Sequence, residues 1–187
     1  MNRISSIAIE NFRACKNVYL QLEGYTPLVG QNNAGKSTIL EALQWVLKPV
    51  ALAASDFSDT AMPVLVAACI DGVTEDVLDL IPEQKHRKAI EPYCRNGRLW
   101  IRVSASGTGA KAITKEVWDI EQCLHDELPD HWREYPTGLP QAVSVLLPDP
   151  IVIEAMEDLE EDLGKAKAGT TIKGLLDEIM GPMLKAH

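Results

Sequence analysis

Residues 30–37 read GQNNAGKS and fit the pattern GxxxxGK[ST] at every position. The two glycines of such a loop let the backbone curl so closely that successive N–H groups point at phosphate oxygens, and the helix that follows adds the positive end of its dipole. Lys36 is placed to reach the β- and γ-phosphates of a nucleotide, and the Ser37 hydroxyl is placed to bind Mg²⁺. The spacing therefore predicts a site for a nucleotide and Mg²⁺.

The backbone of this loop supplies the remaining predicted contacts. The N–H groups of residues 32–38 are expected to bind phosphate oxygens, and Asn33 is a residue type that tolerates the left-handed conformation such a loop often needs. The predicted nucleotide-binding residues of the loop are Gly30, Asn32, Asn33, Ala34, Gly35, Lys36, Ser37 and Thr38, with Ser37 as the metal ligand.

The segments on either side have the elements that this loop requires. Residues 3–10 and 17–22 alternate between polar and apolar like two half-buried strands, and residues 11–16 predict the hairpin connection between them. The short apolar run 26–30 predicts a third strand that stops at the loop. Apolar residues recur at helical spacing over 36–47, and a proline follows. The predicted order is strand, strand, strand, loop, helix.

The rest of the chain predicts further strands and no convincing domain boundary. Residues 64–70 predict a buried strand, and residues 98–105 and 111–120 predict a β-hairpin around a glycine-rich turn. We expect one lobe over residues 1–187. Its predicted parts are a strand-rich start (1–30), the phosphate loop and helix (30–48), strands and hairpin (64–120), a proline-rich loop (129–140), and a returning strand with the start of a helical arm (146–187).

Composition limits the function classes. The chain is 46% hydrophobic and 24% charged, which is typical of a globular protein, and its formal charge of −9 opposes the binding of a nucleic-acid backbone. The N-terminus lacks the apolar core of a signal peptide, and no apolar run approaches the roughly 18 residues of a membrane span. The four cysteines are scattered without metal-ligand spacing. We expect a cytoplasmic protein that has no membrane contact. DNA binding would need a local basic patch or another subunit, and other domains could supply it.

The sequence IAIENFRACKNVYLQLEGYTPLVGQNNAGKSTILEAL, residues 7–43, resembles the amino-terminal start of the ABC-type ATPases related to RecF, SMC proteins and the OLD (overcoming lysogenization defect) nucleases. In them a strand, the phrase NFR, a second strand and the phosphate loop follow in that order, and Asn11-Phe12-Arg13 matches the phrase. The resemblance implies an α/β P-loop NTPase fold with a mixed β-sheet and an antiparallel subsheet. It also implies that Arg13 approaches the nucleotide phosphates; the alternative is an ordinary exposed hairpin arginine.

Two further stretches resemble the OLD-like branch of this group. Asp56-Phe57 stands where these ATPases often carry an acidic-aromatic pair, and residues 146–163 resemble the strand that returns to the sheet before a helical arm. For the whole protein, the resemblance implies a homodimer that uses ATP to control action on DNA, in defence against phage.

The catalytic motifs of such an ATPase are missing from this sequence. Asp71 ends an apolar run, but Gly72 follows where the glutamate of a Walker B motif should stand, and Asp149 lies between two prolines. Residues 106–109, SGTG, are better explained as a hairpin turn than as a signature motif. We therefore identify no catalytic residue and expect an incomplete head domain, whose catalytic parts come later in a longer protein. The alternative is a complete nucleotide-sensing or interaction module that binds ATP without hydrolysing it.

One basic concentration lies at residues 85–88, KHRK. It could face DNA, but no aromatic residues are interleaved with it for base stacking, so a solvated helix face is the favoured interpretation.

Overall fold

The computed structural model describes residues 2–32, 34–121, 129–147 and 150. Almost all of these belong to a compact unit that spans Met1–Pro148. The predicted returning strand and helical arm, residues 146–187, lie almost wholly outside the described residues.

Within this part of the chain, seven strands form one sheet. They are β1 (Arg3–Phe12), β2 (Cys15–Gln21), β3 (Val64–Asp71), β4 (Cys94–Arg95), β5 (Arg98–Ala105), β6 (Ile113–Trp118) and β7 (Trp132–Glu134). The strand order is β2-β1-β3-β5-β6-β7, and β4 pairs with the start of β5. Each pairing between these strands is antiparallel.

Helices accompany the sheet. They are α1 (Lys36–Leu47), α2 (Glu75–Leu78), α3 (Gln84–Ile90) and α4 (Leu139–Leu146). Helix α1 packs against β1, β3 and β5. Aliphatic side chains fill the core between them, and Trp45 of α1 stacks on Phe12 of β1 with ring centroids 6.0 Å apart. Each fully buried aliphatic side chain contributes about 1.5–3 kcal/mol to folding, so this layer holds α1 against the sheet.

Several sequence predictions are confirmed by these elements. Helix α1 has the predicted bounds 36–47, β3 covers the predicted buried strand 64–70, and β5 and β6 form the predicted hairpin. The first hairpin is tighter than predicted, because its turn is Arg13-Ala14 and not residues 11–16. Phe12 pairs with Cys15, so the chain reverses within two residues, and Arg13 in the turn takes a positive φ angle of 47°. Asn11, just before the turn, also has a positive φ, 59°.

The predicted strand over residues 26–30 is wrong. The segment is irregular, and Val29 is 93% exposed. A strand exists only as part of a hydrogen-bonded ladder, and here Pro27 lacks an N–H while no described strand lies beside the segment. The strands that the structure describes pair only in antiparallel fashion, so the mixed sheet that the resemblance implies is not found among them.

The predicted loop over residues 129–140 is also wrong in part. Strand β7 lies inside it and pairs with β6, and α4 begins at Leu139 after Gly138, which has a φ of 96°. A local signal marks the start of this helix, because Pro140 suits the first turn of a helix.

A local signal also marks the short strand β4. Asn96-Gly97, with positive φ at both residues, is the common two-residue turn that joins β4 to β5.

Candidate functional site

The phosphate loop ends at Gly35, where the chain turns into α1. Gly35 has a φ of 88°, a left-handed conformation that glycine adopts without steric cost. The Ala34 N–H donates to the Gln31 carbonyl at 3.2 Å, and the Ile39 N–H donates to the Gly35 carbonyl at 3.1 Å. The loop is therefore curled on one side of Gly35 and helical on the other.

Three backbone N–H groups at the start of α1 are available to a ligand. Because Ile39 makes the first helical hydrogen bond, the N–H groups of Lys36, Ser37 and Thr38 have no acceptor among the described residues. Such groups point out of the helix end and carry its positive partial charge. Their arrangement is suited to bind an anion.

Lys36 lies across the loop. Its Nζ donates to the carbonyl oxygens of Gly30 at 2.8 Å and of Gln31 at 2.7 Å. Carbonyl oxygens are neutral acceptors, and a charged phosphate oxygen forms a stronger hydrogen bond with an ammonium group. The lysine therefore stabilises the curled loop and remains available to a phosphate.

The other predicted loop residues differ in what they can offer. Ser37 is exposed in the first turn of α1, so its hydroxyl is accessible, whereas the Thr38 side chain is buried and leaves only its N–H. Asn32 is exposed, and Asn33 lies outside the described residues. A Cβ atom added at Gly30 would lie 3.4 Å from the Ala34 Cβ, which reflects how tightly the loop closes.

The hairpin turn between β1 and β2 touches the end of the phosphate loop. A Cβ atom at Gly35 would lie 3.7 Å from the Ala14 Cβ and 3.8 Å from the Cys15 Sγ. Burial raises the pKa of the Cys15 thiol, so this side chain is a neutral, apolar contact. The structure thus brings the predicted residue Arg13, in the same turn, to the helix that begins at the loop.

Arg13 itself is bound by two carboxylates. Its Nε donates to Asp56 Oδ1 at 2.7 Å, and its Nη1 forms an ion pair with Glu41 of α1. Its side chain is 42% exposed. Arg13 is therefore more constrained than an ordinary exposed arginine, and one edge of its guanidinium faces α1.

Sequence reasoning missed the partners that hold this turn. Asn11 is buried, and its amide N–H₂ donates to the carbonyls of Asp59 at 2.8 Å and Met62 at 2.7 Å, while its Oδ1 accepts the Asp59 N–H at 2.7 Å. The Asp56-Phe57 pair was the only signal for this neighbourhood, and nothing in the local sequence marks Glu41. The asparagine of the NFR phrase is a structural residue that anchors the segment after Asp56.

Asp71, the first candidate for a Walker B aspartate, has another role. It ends β3 and accepts a hydrogen bond at 2.9 Å from Arg98 Nε, as a strand-end residue does. The residues that the structure describes contain no group of three or more His, Cys, Asp or Glu side chains able to hold a metal ion. The exposed Ser37 hydroxyl fits Mg²⁺ only if phosphate oxygens and water complete the coordination, which is the usual arrangement for this ion.

A separate cavity of about 610 Å³ lies beside the hairpin. Glu10, Lys16, Asp59 and Thr60 are among its lining residues, and none of residues 30–38 takes part. It is therefore distinct from the phosphate loop.

A curled glycine loop, a lysine across it and a helix start with available N–H groups together define a phosphate-loop nucleotide-binding domain. Comparison with known families agrees: the AAA ATPase domain family matches residues 3–97 of the 187. The chain belongs to this family.

A particular relative is the Old nuclease of Escherichia phage P2. It is 36% identical to this chain over 185 residues, and the match covers 99% of the chain and 30% of that protein. The predicted resemblance to the amino-terminal part of an OLD-type ATPase is therefore confirmed. The chain spans less than a third of the relative's length. Among the described residues, no helix is both long and apolar enough to cross a membrane.

Proposed function

We propose that this chain binds ATP and Mg²⁺ through residues 30–38, as the amino-terminal nucleotide-binding part of an OLD-type ATPase with an ABC-like head. The observation that carries the proposal is the set of available N–H groups on Lys36, Ser37 and Thr38, directly after the left-handed Gly35. These groups and the Lys36 ammonium supply fixed positive charge where a triphosphate would lie.

Each residue has a separate part in binding. Lys36 exchanges the carbonyls of Gly30 and Gln31 for oxygens of the β- and γ-phosphates, and the N–H groups of residues 32–38 hold further oxygens. Ser37 provides one ligand to Mg²⁺. Arg13, which the resemblance brings toward the phosphates, approaches from the hairpin side.

For the whole protein, we propose that ATP closes a homodimer and so controls action on DNA, in defence against phage. Support comes from the relative named a nuclease, of which the match to this chain covers 30%. The chain's formal charge of −9 disfavours DNA contact by the chain as a whole, so we assign that contact to other domains.

The second candidate is a nucleotide-sensing or interaction module that binds ATP without hydrolysing it. One observation favours it for this chain alone. Asp71 is bound to Arg98 and is followed by Gly72, so this strand end carries no Asp-Glu pair that could hold Mg²⁺ and activate water.

The test is a titration of the chain with a fluorescent ATP analogue, with and without Mg²⁺, followed by phosphate release on the same samples. We expect Mg²⁺-enhanced binding that Lys36→Ala weakens about tenfold or more, because charged hydrogen bonds are lost. Lys111→Ala is the matched control, since it removes the same charge from an exposed lysine in the turn between β5 and β6, outside residues 30–38. We expect it to bind like the wild type.

Phosphate release by a longer chain separates the two candidates. Binding without release by this chain alone fits either a non-hydrolysing module or an ATPase part that needs further domains. Lys36-dependent release by a longer chain would select the ATPase part. Binding that Lys36→Ala leaves unchanged would contradict both candidates.

A further inference from the structure

The hairpin turn and α1 are linked by one side chain at the edge of the phosphate loop. Arg13 lies in the turn, and Glu41 lies in α1. Ser37 and Glu41 are four residues apart, so they share one face of the helix, about 6 Å apart along its axis. Arg13 is therefore bound to α1 at a residue about one helical turn after the proposed Mg²⁺ ligand.

The two carboxylates that bind Arg13 are held differently. Asp56 is fixed at three points: Oδ1 accepts Arg13 Nε at 2.7 Å, Oδ2 accepts the Ala53 N–H at 2.8 Å, and its backbone carbonyl accepts the Arg13 N–H at 2.8 Å. Its side chain is 13% exposed, whereas that of Glu41 is 39% exposed and bound to Arg13 alone among the described residues. The first contact is rigid, and the second can be exchanged at little cost.

We infer that the Arg13–Glu41 ion pair is a latch that nucleotide phosphates open, while Asp56 is the positioning residue that keeps Arg13 at the site. This inference rests on the proposed function of residues 30–38. A phosphate group carries more charge than a carboxylate and accepts paired N–H groups from arginine, so it competes well for the Nη atoms. Because Asp56 binds Nε, the Nη groups can change partner without the side chain leaving its place.

The latch predicts two effects on nucleotide binding that a purely structural ion pair does not. Glu41 competes with the ligand, so its removal strengthens nucleotide binding and does not weaken it. That gain also requires Arg13, because a glutamate that only repelled the phosphates through space would act with or without the arginine.

The experiment measures the dissociation constant of ATP with Mg²⁺ for the full chain, for Glu41→Gln, for Arg13→Ala and for the double variant. We expect Glu41→Gln to bind about two- to fivefold more tightly, which corresponds to the energy of an exposed ion pair. In the Arg13→Ala background the same substitution should change affinity by less than about 1.5-fold. Glu23→Gln removes the same charge from an exposed residue that has no side-chain partner in the described structure, and it should leave affinity unchanged.

Asp56→Asn tests the positioning role. The amide oxygen can still accept the Ala53 N–H, so we expect a folded protein, verified by its thermal transition, with affinity for ATP lowered by about threefold or more. In the Arg13→Ala background it should have no further effect, whereas a general structural role would lower affinity in both backgrounds.

The outcomes distinguish this inference from the proposed function. Weaker binding by Glu41→Gln, or equal gains with and without Arg13, would overturn the latch while Lys36-dependent binding left the proposed function intact. A wild-type chain that shows no Lys36-dependent binding would overturn both.

Discussion

The central strands and the phosphate loop are stabilised in opposite ways. Strands β3 and β5 are paired on both sides and bury aliphatic residues against α1. Residues 26–35, where the structure describes them, are largely exposed, and the loop is held by the turn from Gln31 to Ala34 and by two contacts of Lys36. Burial gives the first region its stability, and the available N–H groups of the second region are the proposed source of its affinity for phosphate. Substitutions in the two regions should therefore affect different measurements.

The largest effect is expected in the strands. Leu99 of β5 is 0% exposed, and Leu99→Ala should lower the free energy of unfolding by about 2–5 kcal/mol, since it removes buried methyl groups and leaves a cavity. Urea unfolding measures this loss. ATP titration at a temperature where the variant is still folded should give wild-type affinity.

Leu80→Ala is the matched control for that substitution. Leu80 is 69% exposed, so the change in stability should stay within about 0.5 kcal/mol. A folded Leu99→Ala protein that binds ATP poorly would mean that the two regions are not separable.

The next effect concerns the β1–β2 hairpin, whose turn contacts the end of the phosphate loop at Gly35. Asn11→Ala removes two buried amide donors that hold the carbonyls of Asp59 and Met62, and alanine also suits the φ of 59° less well than asparagine does. We expect a loss of about 1–3 kcal/mol in the free energy of unfolding. Asn17→Ala, in an exposed position of β2, should be nearly neutral in the same urea experiment. Equal losses of stability in both variants would show that Asn11 does not anchor the segment after Asp56.

The contacts of the β1–β2 turn show the limit of what the sequence could predict. The phosphate loop and α1 follow from spacing within about a dozen residues, and β3 and β5 follow from runs of apolar residues. Arg13 meets Asp56 and Glu41, which are 43 and 28 positions away, and no local pattern specifies such pairs. The strand expected over residues 26–30 failed for a related reason, because a ladder depends on a neighbour that local sequence does not define.

A smaller effect is expected at the end of the loop. Gly35→Ala places a Cβ atom on a residue with a φ of 88°, and its nearest neighbours, at 3.7 and 3.8 Å, leave room for it. The cost is therefore backbone strain, about 1–2 kcal/mol, and we expect weaker ATP binding if the loop relaxes to relieve it. Thermal unfolding measures the loss of stability, and ATP titration measures the loss of affinity.

Gly107→Ala isolates that strain. Gly107 has open space around it and no positive φ, so the added methyl group should change neither stability nor affinity. Wild-type behaviour of Gly35→Ala would show that the left-handed turn is not needed for binding.

The smallest effect is expected at Asp71, whose ion pair with Arg98 lies at the exposed end of β3. Asp71→Asn should lower the free energy of unfolding by less than about 1 kcal/mol, as exposed pairs do, and it should leave the Mg²⁺ dependence of ATP binding intact. Ser37→Ala is the comparison, because it should reduce the Mg²⁺-dependent part of the affinity while stability stays the same. If Asp71→Asn removed that dependence instead, Asp71 would act at the metal, and the separation between sheet and loop would fail at this strand end. The Arg98 contact at 2.9 Å favours the structural role. The guanidinium offsets the negative charge of the aspartate and occupies one of its oxygens, so the carboxylate attracts a cation less strongly.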